Sequence, residues 1–231
     1  MDLSNKQIVV TGAKGGLGAY ITQALLAANA RVIGVSRSIQ RSDFPHPRFS
    51  AVAAELASIE AAETLVTSLR QEYETIDGLV HLLGGFDGGK SVEETDDSSI
   101  EKMLALNFRS AFYIIRAVLP LMKQQHSGAI VAIGARTAFD PASGLAAYSA
   151  SKAALISLMR TVSVEVKDHG ISANVILPGT IDTPANRASS PGTDTAKWIR
   201  PEQIASLVVH LMGDCSSQLT GAVIPLYGAG L

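Results

Sequence analysis

Residues 6–29 constrain the fold more than any other stretch of this chain. Lys6-Gln7-Ile8-Val9-Val10-Thr11 is a short apolar run of strand type, a glycine-rich turn follows as Gly12-Ala13-Lys14-Gly15-Gly16-Leu17-Gly18, and Ala19 to Asn29 has helical periodicity. Glycine lets a backbone turn tightly and approach a pyrophosphate, which then rests on the free N–H groups and positive dipole end of the helix. The spacing is Gly-x-x-x-Gly-x-Gly and differs from the more familiar Gly-x-Gly-x-x-Gly. Taken alone, the turn also suits an ordinary strand-to-helix connection.

The alternation continues along the chain. Arg31–Ser36, Phe49–Ala53, Asp77–Gly85, Gly128–Gly134, Ile171–Leu177 and Ala222–Leu226 read as strands, with helical patterns between most of them. Ser58 caps a helix reaching Glu74, Ser98-Ser99-Ile100-Glu101 fits a capping box that opens a long helix to Gln125, and Pro201 takes the first position of the last helix. Such alternation predicts a doubly wound parallel sheet. His81, in an apolar strand without metal partners, reads as a satisfied core histidine. Ile181 to Arg200 is rich in Pro, Ser, Thr and Asp, and a stretch of that length in a compact domain is more often a functional lid than a spacer.

Composition limits the function. With 231 residues, 47% of them hydrophobic and 17% charged, a single domain over 1–231 is expected. A net charge of −2 without a Lys/Arg block argues against nucleic acid and anionic membranes as partners. No apolar run reaches the roughly 20 residues of a bilayer span, and Met1–Gln7 lacks a signal-peptide pattern, so a cytoplasmic protein is expected. The lone Cys215 fits a reducing compartment and reads as a small buried hydrophobe; no metal site is expected.

Candidate chemistry lies in Ala147-Tyr148-Ser149-Ala150-Ser151-Lys152. Tyr148 and Lys152 fall on one helix face, and a neighbouring ammonium would favour the phenolate and lower the tyrosine pKa. The same spacing also suits an ordinary exposed face. After the second strand come Ser36 and Arg37, with Lys14 in the glycine turn; basic groups there favour a ribose 2′-phosphate, so NADP(H) is expected over NAD(H), a solvated Arg being the alternative. Asn107 is mildly unfavourable inside its helix and is either a surface residue or a functional one.

Together, Thr11-Gly12-x-x-x-Gly16-x-Gly18, Asn107, Tyr148-x-x-x-Lys152 and Pro178-Gly179 resemble the short-chain dehydrogenase/reductase family in order and spacing along almost the whole chain. The resemblance implies an α/β fold, a Rossmann-like doubly wound sheet of seven parallel strands in a single domain, which binds NAD(P)(H) and exchanges hydride with a carbonyl or alcohol. It makes Tyr148 the proton donor or acceptor, Lys152 the group that holds the nicotinamide ribose and lowers the Tyr148 pKa, and Asn107 the support of a water relay. Cofactor contacts then fall on Gly12, Lys14, Gly16, Leu17, Gly18, Ser36, Arg37, Tyr148, Lys152, Pro178, Thr180, Ile181 and Thr183, with Leu56 and Gly84 flanking the adenine side. A homodimer or homotetramer through the helices around 107–125 and 148–167 is also implied.

Two departures stand out. His81-Leu82-Leu83-Gly84 replaces the family's Asn-Asn-Ala-Gly, and Ala135 occupies the place of the catalytic Ser that usually precedes the Tyr by about thirteen residues. Loss of an oxyanion donor can cost on the order of 10²–10³ in rate; Thr137, Arg136 or Ser143 could substitute. Gly134-Ala135-Arg136-x-Ala138 and Leu177 through Arg187 are similar to the dihydropteridine reductase branch, whose quinonoid substrate gains aromatic stabilisation on accepting hydride. Asn107 and Arg37 depart from that branch. The expected activity is NADPH-dependent reduction of a small ketone or aldehyde with Tyr148 as proton donor. The alternatives are dihydropteridine reductase-like activity and, because of Ala135, a non-catalytic NADP(H)-binding sensor or scaffold. Phe86, Phe139, Ile181, Arg187 and Trp198 are candidate pocket residues.

Overall fold

The computed structural model describes residues 1–214 and 218–228; Cys215 lies outside the described residues. The strands are β1 (Gln7–Thr11), β2 (Arg31–Ser36), β3 (Phe49–Ala53), β4 (Gly78–His81), β5 (Gly128–Ile133), β6 (Ile171–Pro178) and β7 (Val223–Leu226). They form one seven-stranded sheet in the order β3-β2-β1-β4-β5-β6-β7, each pair parallel. This is the doubly wound Rossmann-like sheet expected from the sequence. The order reverses between β1 and β4, so the connections leaving these two strands diverge and leave a crevice at their C-terminal ends.

Both sheet faces are covered, which is why β6 is buried at every position and reads as a continuous run without alternation. Val9, Ile33, Leu79 and Ile130 point to one face, where α2 (Ile59–Glu72), α4 (Ser110–Gln125) and α5 (Ala146–Val166) supply Leu65, Ile114 and Leu155. Their neighbours Ile8, Val32, Val80 and Val131 point to the other, against Ile21 and Leu25 of α1 (Gly16–Ala27) and Ile204 and Val208 of α7 (Pro201–Leu211). His81 is buried between Thr11 Oγ1, 2.9 Å from Nδ1, and Ser110 Oγ, 3.3 Å from Nε2. Burial, then the Lys152 charge, push its pKa down to about 3, so it is the neutral core histidine anticipated.

One expectation fails and two details go beyond the sequence reading. The cap of α3 (Asp97–Leu104) is Asp96 and not the box at Ser98: Asp96 Oδ1 accepts the Ser99 N–H at 2.8 Å and the Ser98 hydroxyl at 2.6 Å, because a carboxylate is the stronger acceptor. Helices α3 and α4 are joined through a π-helical turn, Ala105–Arg109, into one helix of 29 residues, long and apolar enough by composition to cross a bilayer. Its buried Met103, Ile114, Ile115, Val118 and Met122 pack inward as on a core helix. The 181–200 segment, rich in Pro, Ser, Thr and Asp, forms α6 (Pro184–Ser189), capped by the Thr183 hydroxyl, and a single turn at Thr195–Lys197. Its ends are held together by a bridge between Ile181 and Ile199.

Candidate active site

The glycine turn forms a cradle made of backbone. Gly12 has φ +74°, which an L side chain rarely adopts, and a Cβ on Gly18 would collide with the Gly12 carbonyl oxygen. At the start of α1, Gly15 offers no side-chain cap and the first turn carries no acid, so nothing local competes for the free N–H groups. These residues therefore fit a pyrophosphate. Opposite the turn, a Cβ on Gly16 would lie 3.5 Å from Thr183 Cβ, which brings the 180s against the cradle. Pro178 closes β6, and the Thr180 carbonyl accepts the Ile199 N–H at 2.8 Å, just before Ile181. Leu17 packs against the core at the base of α1.

Beside the cradle, Lys14 donates its backbone N–H to Ser36 Oγ at 3.3 Å and its ammonium to the Ser38 carbonyl at 3.1 Å. The same ammonium lies 3.0 Å from the Asp43 carboxylate, and Arg37 lies 3.7 Å from Glu55. Both cations are thus already paired, with acids that the sequence reading did not connect to them. Leu56 is buried in the same core cluster as Ile33 and Val35 of β2.

Across the crevice, Asn107 sits in the π turn and is fully buried, so it is not a surface residue. Its Oδ1 accepts the Gly85 N–H at 2.9 Å, while Nδ2 donates to the Gly85 carbonyl at 3.1 Å and to Ser151 Oγ at 2.9 Å. Ser151 Oγ in turn donates to the Tyr148 carbonyl at 2.7 Å. Lys152 is buried and donates its ammonium to the Ile133 carbonyl at 2.9 Å. A Cβ on Gly84 would lie 2.8 Å from Asn107 Oδ1 and 3.4 Å from Lys152 Nζ. Gly84 therefore groups with Asn107 and Lys152.

Burial acts on Tyr148 in the direction opposite to the lowering expected from Lys152. Burial raises the Tyr148 phenol above its ordinary value, and burial lowers Lys152 to about 8. Desolvation penalises the charged form of each, and the lysine's hydrogen bond goes to the end of β5. Around Ala135 the three possible replacements for a hydroxyl donor are differently disposed. Arg136 Nε donates to Asp140 at 2.9 Å and its guanidinium lies 5.0 Å from the Tyr227 ring centroid. Ser143 is exposed. Thr137 Oγ1 is buried without a hydrogen-bond partner among the described residues; lacking solvent contact, it does not open onto a cleft. Arg187 is held by Asp182, Nη2 to Oδ2 at 2.7 Å, and Trp198 is half-buried. Phe86 meets Tyr148 in a T-shaped contact, centroids 5.1 Å apart. Sequence reasoning missed Gly85 and Ser151 as partners of Asn107; the one available signal was Ser151, three residues after Tyr148 on the same helix face.

Residues 6–194 match the family model for short chain dehydrogenase. The chain is 30% identical to the short-chain dehydrogenase/reductase cdmF of Talaromyces verruculosus, with 97% of this chain and 96% of the relative covered. It is 29% identical to the 2,3-dihydro-2,3-dihydroxybenzoate dehydrogenase of Escherichia coli, over 95% and 94% of the two chains. Among solved structures, the Pseudomonas aeruginosa RhlG/NADP active-site complex is similar with a TM-score of 0.90 at 31% identity, over 99% of this chain and 97% of that one.

Proposed function

We propose a function from one premise: this chain belongs to the short-chain dehydrogenase/reductase family and is an NAD(P)-dependent oxidoreductase. Its reaction is the reduction of a small ketone or aldehyde with NADPH. The observation that carries this reading is the convergence of Tyr148, Lys152, Asn107 and Gly84 across the crevice from an uncapped glycine cradle. Lys14, Ser36 and Arg37 beside the cradle, and the NADP complex of a similar protein, support NADP(H) over NAD(H). When bound, the nicotinamide supplies the hydride.

The chain's own residues handle the proton and the geometry. Tyr148 donates its phenolic proton to the substrate oxygen, and its raised pKa keeps it protonated at neutral pH. Lys152, brought down to about 8 by burial, exchanges a proton readily near neutrality. Asn107 clamps Gly85 from both sides and, through Ser151, steadies the turn that carries Tyr148. A homodimer or homotetramer working in the cytoplasm belongs to the same proposal, supported by the exposed Phe112 on α4 and Val164 on α5.

One observation favours a second reading. Ala135 leaves an apolar wall where a hydroxyl would polarise a carbonyl, which suits a substrate activated by its own conjugation, such as a quinonoid dihydropterin. NADPH consumption with a panel of ketones, aldehydes, quinones and quinonoid dihydropterins separates the readings. Turnover of ketones or aldehydes supports the first, turnover confined to the dihydropterins the second, and NADPH binding without any turnover means a non-catalytic sensor or scaffold.

A further inference from the structure

We propose that Phe86 is a stacking platform that selects flat, conjugated ring substrates over puckered aliphatic ones. The proposal deepens the reductase reading above and takes its chemistry from it. Phe86 touches the Tyr148 ring, 5.1 Å between centroids at 67°, so it stands beside the group assigned to proton donation. It is nevertheless 66% exposed. A large apolar ring held open beside a reacting phenol is surface of the kind that a ligand covers.

The backbone that carries the ring is held in place before any ligand arrives. On one side of it, Gly85 is gripped at both its N–H and its carbonyl by the Asn107 side chain. On the other, the Gly89 N–H donates to the Gly144 carbonyl at 2.8 Å, and a Cβ on Gly88 would run into the Leu145 side chain. The stretch from Gly85 to Gly89 is thus tied to the buried Asn107 at one end and to the turn that precedes α5 at the other. A platform fixed in this way spends little ordering entropy on binding.

Ala135 supplies the complementary observation. It is buried and has no side-chain donor, so this position adds no hydrogen bond by which substrates could be sorted. A larger share of the discrimination then falls to ring contact. A flat ring stacks offset on Phe86 with many atoms at contact distance, whereas a puckered ring of the same carbon count meets it through a few axial hydrogens.

The test compares acetophenone with cyclohexyl methyl ketone, which share a carbon skeleton and differ in the flatness and conjugation of the ring. Two quantities are read for each: the dissociation constant by calorimetry with NADP⁺ present, and kcat/KM with NADPH. The unaltered protein should favour acetophenone about tenfold in both. Phe86→Leu, which keeps an apolar side chain but not its flatness, should bring that ratio to about one, and Phe86→Trp should preserve it. An unaltered ratio in Phe86→Leu, no preference in the parent protein, or no measurable binding of either ketone would overturn the platform. Should binding follow the expected ratio while neither ketone is turned over, the reductase reading fails and the platform stands. Should both ketones be turned over without a ratio, the reductase reading stands and the platform fails.

Discussion

At the glycine end of the crevice the groups available to a ligand are backbone N–H groups with no side-chain cap, and the nearby cations, Lys14 and Arg37, each rest against a carboxylate. At the tyrosine end the groups are side chains anchored to one another and to backbone: Asn107 to Gly85 and Ser151, Ser151 to the Tyr148 carbonyl, Lys152 to β5. A site made of backbone is specified by the absence of Cβ atoms, so it tolerates most chemistry and almost no bulk. A site made of interlocked side chains is specified by their partners, and the loss of one leaves others buried and unsatisfied. Binding and turnover should therefore be separable by mutation.

Tyr148→Phe is the strongest challenge to that separation. It should lower kcat by about 10³-fold while NADPH affinity, measured by calorimetry, stays within about twofold. Parallel loss of both would mean that the two ends are one unit. Gly18→Ala reverses the pattern: its Cβ meets the Gly12 carbonyl, and NADPH affinity should fall about a hundredfold while the thermal transition shows the protein still folded. Arg37→Asp should weaken NADPH by about tenfold and NADH by less than about twofold, since only the former offers a 2′-phosphate to pair with. Equal losses would return Arg37 to the role of a partner for Glu55.

The last test reads stability and not binding or turnover, and concerns His81, which lies between the two ends. Its folded pKa, about 3, is below its ordinary 6.5. As pH falls through that interval the unfolded chain takes up a proton that the folded one refuses, so stability is lost with falling pH. The slope is at most about 1.4 kcal/mol per pH unit. His81→Asn should flatten this part of the acid limb in denaturant titrations, leaving the curve above pH 7 with its former shape; an unchanged acid slope would show that His81 does not contribute it.

What could be read from the sequence was what local chemistry decides. The strands were visible because buried parallel strands are continuous apolar runs, and the Ser58 cap and Pro201 start were visible because each acts within one helical turn. The glycine cradle was equally legible, being contained in seven residues, Gly12 to Gly18. The partners were not. Asn107 finds Gly85 and Ser151 at separations of 22 and 44 residues, and Lys14 finds Asp43 only because the loop after β2 folds back. The direction of the Tyr148 pKa was misread for a related reason: spacing on a helix gives proximity to a lysine, whereas desolvation depends on the elements that close over both. Even the cap of α3 turned on a competition between Asp96 and Ser98 two residues apart, settled by charge.

The π turn at Ala105–Arg109 has a consequence for how this protein could lose its site in evolution. A substitution at Asn107 removes one side chain, but deletion of a single residue between 105 and 109 would close the turn to ordinary helical winding, keep α3 and α4 packed as they are, and take away the placement that aims Asn107 at Gly85 and Ser151. One strand of the lineage could thereby acquire an intact, well-packed helix and a dead enzyme in the same step. The wider turn is in effect what lets one continuous helix both fill the core and present Asn107 to its partners.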